Sequence, residues 1–243
     1  MIRNILPYQE VTPGKRFHQQ LNLPPQTQIV LYQGNIQANR SLERLIYAAR
    51  FLDPDIVIVL MGRTRGKILT QLEALIAQEG VADRVKILPP VPYAELLSWT
   101  ASADLGLTVY SPGYSDNVRV FLPNKLFEYF MAGLPVLSAP LEAVTEIITR
   151  HDTGVILSSL EPEDVGSTIN TLLKDSVAWN GCISTPCEPP VNSCAGKKKV
   201  LDSFNYMMSY LLRGNQEKLR LKQRVKSSIS ACMYWVMQAT MCG

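Results

Sequence analysis

From residue 29 onward the apolar positions change period in a regular way. Residues 29–32 form a short apolar run that ends at Gly34. Leu42, Leu45, Ile46, Ala49 and Leu52 then recur at helical spacing, and Asp53-Pro54 closes that stripe. Residues 56–61 are apolar throughout and end at Gly62. A second helical stripe (Ile68, Leu69, Leu72, Leu75, Ile76) stops at Gly80. Residues 85–88 read as a third strand, 93–101 as a helix and 105–110 as a fourth strand. A helix from Asn124, a strand at 134–137, a helix at 142–149, a strand at 154–157 and a helix at 161–173 complete the series. Runs that are apolar at every position suit strands buried on both faces. The pattern therefore predicts an α/β fold with a doubly wound parallel sheet of six strands. Ligands on such sheets bind beyond the carboxyl ends of the strands. That rule gathers Gly34, Gly62, Pro89-Pro90 and the segments 110–124 and 138–140 on one rim. The longest of these, 110–122, reads as a binding loop.

Composition divides the chain. It has 243 residues and a net charge of +3. Residues 1–179 carry 15 Lys/Arg and 18 Asp/Glu, whereas residues 180–243 carry 9 and 3. All five cysteines (Cys182, Cys187, Cys194, Cys232, Cys242) fall in the second part. The break after Trp179 predicts three segments: a lead at 1–26, a folded domain at 27–179 and an irregular tail at 180–243. No apolar run approaches the ~20 residues of a membrane helix, and the N-terminus has no apolar leader core. The expected location is the cytoplasm, with peripheral membrane association left open.

The most informative stretch reads LPNKLFEYFMAGLPVLS, residues 122–138. Pro123 and Asn124 open a helix that Gly133 closes. Leu126, Phe127, Phe130 and Met131 share one face, and Lys125 and Glu128, three apart, share another. A helix N-terminus offers free N–H groups and positive potential, Lys125 adds a cation, and Glu128 accepts hydrogen bonds from hydroxyls. An anionic ligand bearing hydroxyls, such as a nucleotide sugar, fits that set. The plain alternative is a solvated ion pair on an ordinary helix.

The ordered motifs YQGNIQANRSLERLI, VLMGRTRGK, VKILPPVPYAELLSWTASADLGL, PNKLFEYFMAGLPV and DTGVILSSLEPEDVGSTINTLLKD resemble the C-terminal domain of GT-B glycosyltransferases. The likeness is to the large retaining group 1, or family four, type that uses nucleotide-diphosphate sugars, and it spans roughly residues 1–179. It implies a Rossmann-like half of a GT-B fold that takes a nucleotide sugar as donor substrate, with no cofactor and no metal. It implies that Glu128 binds the donor's ribose hydroxyls. A second family glutamate would stand at Val120. Asn124 and Lys125 replace a glycine-rich approach to the phosphates and sugar. Of two cations expected after the first strand, Asn35 stands at the Arg position and Arg40 at the Lys position. Lys125 is then the substitute charge. Gly34 lies in the same loop, and Val91 matches the segment whose backbone meets the nucleobase. Catalysis would be retaining glycosyl transfer, the leaving diphosphate being stabilised by Arg40, Lys125 and helix N-terminal amides. No catalytic residue is assigned. Asp104, Arg63 and Arg65 are expected in solvent, and His18 and His151 are read as surface histidines.

The resemblance implies a partner as well. A GT-B enzyme holds its acceptor on a first domain, which here would precede Met1, so the chain alone should be nearly inactive. The acceptor is an unknown glycan, lipid or small molecule, and no nucleic acid is expected. Residues 180–200 are rich in Pro and Cys and lack helical periodicity, while 201–212 and 229–237 are read as either helical or loose. The tail's cysteine spacings match no common zinc pattern, and disulfides conflict with the missing leader. Restoring one base after the Trp179 codon lets permitted codons for residues 180–212 read as a charged amphipathic helix. A frameshifted tail is therefore expected. Two alternatives stand beside the glycosyltransferase: a non-catalytic nucleotide-sugar-binding remnant, and another GT-B enzyme such as a sugar-nucleotide epimerase.

Overall fold

In the computed structural model, residues 11–38, 40–110 and 122–179 are described. Val120, the loop 111–121 and the tail 180–243 lie outside the described residues. The strands are β1 (Gln28–Gln33), β2 (Ile56–Met61), β3 (Val85–Leu88), β4 (Leu105–Thr108), β5 (Val136–Ser138) and β6 (Gly154–Ile156). The helices are α1 (Arg16–Leu21), α2 (Leu42–Ala48), α3 (Ile68–Gln78), α4 (Tyr93–Thr100), α5 (Asn124–Met131), α6 (Glu142–His151) and α7 (Pro162–Trp179). All six strands are parallel, in the order β3-β2-β1-β4-β5-β6. This is the doubly wound α/β sheet that the hydrophobic pattern predicts.

Side-chain alternation sorts the strands between two layers. Val30, Tyr32, Ile58, Leu60, Leu105 and Leu107 share one core with Leu42, Leu45 and Ile46 of α2, Leu72 of α3 and Ile169 of α7. The alternate residues of β1, Ile29, Leu31 and Gln33, point to the other face, where α4 and α5 lie. Gly106 is essential on that side. A Cβ there would come 2.6 Å from the Tyr129 ring, so the missing side chain is the space the ring fills. Burial of each large apolar side chain contributes about 1.5–3 kcal/mol.

The chain order reverses between β1 and β4, which opens a crevice at their carboxyl ends. Beyond the sheet edge β1 and β2 part briefly and pair again: Gly34 N–H donates to Met61 O, and Ile36 N–H to Arg63 O. Between these bonds the two glycines meet. A Cβ on Gly62 would lie 1.6 Å from the Gly34 carbonyl oxygen. Gly34 itself has φ 125°, a region that favours glycine.

Several local features add to or correct the sequence reading. The lead segment contains α1, which has no sequence periodicity and is held by tertiary contact. Phe17 is fully buried with its ring 5.2 Å from that of Trp99, and Arg16 pairs with Glu95 at 3.0 Å. The fifth strand starts at Val136, because Leu134 N–H is drawn back to Tyr129 O at the end of α5. Asp104 is not a solvent group, since its carboxylate accepts the Ile29 N–H at 2.8 Å. His18 is half-buried, with Nε2 2.8 Å from Thr27 O, and His151 is half-buried at the end of α6. Burial, followed by the charge of Arg150, lowers the pKa of His151. Among the described residues no helix is long and apolar enough to cross a membrane.

Candidate functional site

A cavity of about 410 Å³ occupies the crevice. All seven residues singled out from the sequence line it: Gly34, Asn35, Arg40, Val91, Asn124, Lys125 and Glu128. They come from three places in the fold. Gly34, Asn35 and Arg40 follow β1, Val91 follows β3, and the other three open α5. Arg63 is exposed and borders the cavity, whereas Arg65 is exposed away from it.

Helix α5 begins because Pro123, at φ −70° and ψ 141°, sets the extended residue that precedes a first turn. No side chain caps it. Its amphipathic face buries Leu126, Phe127, Phe130 and Met131. Lys125 and Glu128 are also buried, at 8% and 9% exposure, which removes the solvated ion-pair reading. Nor do the two pair with each other. The Lys125 ammonium lies 3.7 Å from the Tyr32 ring centroid and 5.4 Å from that of Tyr110. The Arg40 guanidinium lies 4.7 Å from the other ring, Tyr110, so two cations and two tyrosines form one wall. Burial, with the nearby charge of Arg40, lowers the Lys125 pKa to about 7, against the opposing pull of Glu128.

Glu128 turns the other way. Its Oε2 accepts a hydrogen bond from Gln33 Nε2. Gln33 Oε1 accepts from Thr100 Oγ1 at 2.7 Å, and Gln33 N–H donates to the Tyr129 hydroxyl at 3.0 Å. Burial raises the Glu128 pKa, while the Gln33 hydrogen bond and then Lys125 pull it back. The Tyr129 hydroxyl lies within 3.1 Å of Leu31 O and 3.2 Å of Leu107 O. Its burial pushes the phenol well above its ordinary range.

Sequence reasoning missed Tyr32, Gln33, Thr100 and Tyr110. One signal was present: Gln33 is a polar residue in a run otherwise buried on both faces, and such a group must find partners. The cavity also has an apolar end, made by Pro90, Val91, Tyr93 and Leu96. The site therefore offers cations and helix amides at its centre, a hydroxyl acceptor beside them and an apolar shelf at one end. Among the described residues no group of three or more His, Cys, Asp or Glu is placed to hold a metal ion.

Residues 14–183 match the family described as glycosyl transferases group 1. A D-inositol 3-phosphate glycosyltransferase of Xylanimonas cellulosilytica is 26% identical over 168 residues, covering 68% of this chain and 39% of the relative. The chain thus spans about two fifths of that relative's length. The fold is similar to that of Anabaena HepE, solved in complex with UDP and glucose. There the TM-score is 0.60 at 18% identity, over 84% of this chain and 53% of the other. It is similar also to the C-terminal domain of the group 1 protein LpcC from Francisella tularensis. That match has a TM-score of 0.59 at 16% identity, over 81% of this chain and 94% of the other.

Proposed function

The chain belongs to the glycosyl transferases group 1 family, and on that premise we propose that its cavity holds a nucleotide-diphosphate sugar for retaining glycosyl transfer. In this reading residues 27–179 are the donor half of a GT-B enzyme, and a second domain supplies the acceptor half. The observation that carries the reading is the meeting of Lys125, Arg40 and the uncapped start of α5 beside Glu128 on one cavity. The diphosphate lies against the two cations and the first-turn amides of α5, which stabilise the charge that develops as the glycosyl bond breaks. Glu128 accepts the ribose hydroxyls. The shelf at Pro90 and Val91 receives the base, and the close backbone approach at Gly34 leaves room for the phosphates.

The acceptor half supplies orientation, and proximity accounts for a large share of catalysis. Asn35 and Val120, which stand where the family resemblance implies an Arg and a Glu, favour a second reading, a binding module that holds donor without transferring it. Titration of the full chain with UDP- and GDP-sugars tests the site under both readings. Binding of one, abolished by Glu128→Ala, supports it. Binding of neither, or an indifferent substitution, rejects it. Transfer by the chain fused behind the acceptor domain of a group 1 relative separates the two: the first reading expects it and the second does not.

The tail belongs to the same proposal. The family match stops at residue 183, four residues after Trp179. The shift in charge and cysteine content after Trp179 is what supports a frameshift at its codon.

A further inference from the structure

Gln33 is the last residue of β1 and is 2% exposed. Its side chain faces α4 and α5, where it meets the Thr100 hydroxyl and the Glu128 carboxylate. A buried amide at such a place adds direction rather than simple packing, because each of its groups demands a partner. We propose that Gln33 is a positioning residue for Glu128: its amide commits carboxylate oxygen Oε2, so that Oε1 is left to accept the hydroxyls of a vicinal diol, and Thr100 decides which way the amide points. This rests on the reading that Glu128 receives ribose hydroxyls.

The bonds form a chain with a definite logic. Thr100 Oγ1 lies 2.7 Å from Gln33 Oε1 and 2.8 Å from Leu96 O, and its hydroxyl has one proton to give. When that proton goes to Gln33 Oε1, the amide NH2 must face Glu128, and an ionised carboxylate is held. In the reversed amide, oxygen would face oxygen, which only a protonated Glu128 satisfies. The Gln33 NH2 then donates to Thr100, whose proton goes to Leu96 O. Leu96, Thr100, Gln33 and Glu128 thus have two fully bonded arrangements, one for each protonation state of the carboxyl. The ionised arrangement is the one that can accept a diol.

Other ionisable groups surround this chain. Lys125 and Tyr129 come from the helix of Glu128, Tyr32 from β1, and Arg40 and Tyr110 from across the cavity. A ratio of two affinities removes their common influence. Dissociation constants of UDP and 2′-deoxy-UDP are measured by calorimetry on the full chain between pH 5 and pH 9. The chains compared are wild type, Gln33→Met and Thr100→Val. Diphosphate and Lys125 ionisation affect both ligands alike, so the ratio reports the carboxylate–diol contact.

The wild-type ratio is expected to be about tenfold at high pH and to fall to one as Glu128 takes up a proton. Gln33→Met removes a bond to the ionised form, so the fall moves to higher pH. Thr100→Val shifts it the same way by less. A wild-type ratio of one throughout overturns the Glu128 reading and this inference together. A clear wild-type ratio whose size and midpoint Gln33→Met leaves unchanged overturns this inference alone. If Gln33→Met does not fold, as judged by its circular dichroism, Thr100→Val decides: an unchanged ratio and midpoint are equally fatal.

Discussion

The Lys125 ammonium rests 3.7 Å from the centroid of the Tyr32 ring, and among the described residues no carboxylate pairs with it. Its nearest acidic neighbour on the helix, Glu128, is engaged by Gln33 instead. A ring face returns only part of the hydration that a buried ammonium loses. The cavity is therefore prepared for an anion that supplies the rest.

Binding of a nucleoside diphosphate should take up a proton near neutral pH. Lys125 has a pKa lowered to about 7 in the empty cavity, and an adjacent phosphate raises it. Uptake appears above the first value and ends above the second. Calorimetry of UDP at about pH 8, in buffers of different ionisation enthalpy, should give different apparent heats. Lys125→Met should remove the part of that difference due to the lysine.

The same lysine should oppose folding. Its folded pKa lies below the unfolded value of 10.5, so the unfolded chain binds the extra proton between about 7 and 10.5. Stability conferred on the wild type therefore rises as pH climbs through that window. Lys125→Met should melt higher than wild type at pH 7, and its advantage should narrow toward pH 10. Its UDP affinity should fall. Thermal melts across pH together with one titration check both parts.

Gly62→Ala should destabilise by about 3 kcal/mol, because its Cβ would meet the Gly34 carbonyl oxygen at 1.6 Å and backbone must move. Gly66→Ala is the control. Its φ is 64° with nothing within 4 Å of a Cβ, so only conformational cost of about 1 kcal/mol applies. Urea denaturation of the two variants should rank them in that order.

Tyr129→Phe should cost about 1–3 kcal/mol, since Gln33 N–H is left without its acceptor in the core. Tyr129 should also stay protonated well beyond the ordinary range of a phenol. Ultraviolet titration of the folded chain, compared with Tyr129→Phe, should show no lost tyrosinate absorbance below the pH of unfolding.

Inserting one base after the Trp179 codon should lengthen the family likeness beyond residue 183 and raise the helical content of the product. The coding DNA and a circular dichroism spectrum of the restored chain answer this. An unaltered extent of likeness would count against the frameshift.

The sheet was legible because strands buried on both faces leave a continuous apolar signature, as in β2, whose six residues are all buried. Lys125, Glu128 and Gly34 were legible for a different reason. The rule that ligands sit at strand ends converts sequence order into neighbourhood. What escaped were relations across distance in the chain. Gln33 reaches Glu128 over 95 residues and Thr100 over 67, and no local spacing encodes either. The first apolar run ended at Tyr32, so Gln33 looked like the place where the strand stopped. Helix α1 escaped because six residues with one buried side chain make no stripe.

Glu128 and Tyr129 are successive residues of α5, and both hold Gln33, one through its side-chain amide and the other through its backbone N–H. The strand end and the helix therefore separate together or not at all. The backbone proton of Gln33 can exchange with solvent deuterium only during such a separation. Its exchange lifetime is a clock for how often the floor of the cavity opens, readable without any ligand.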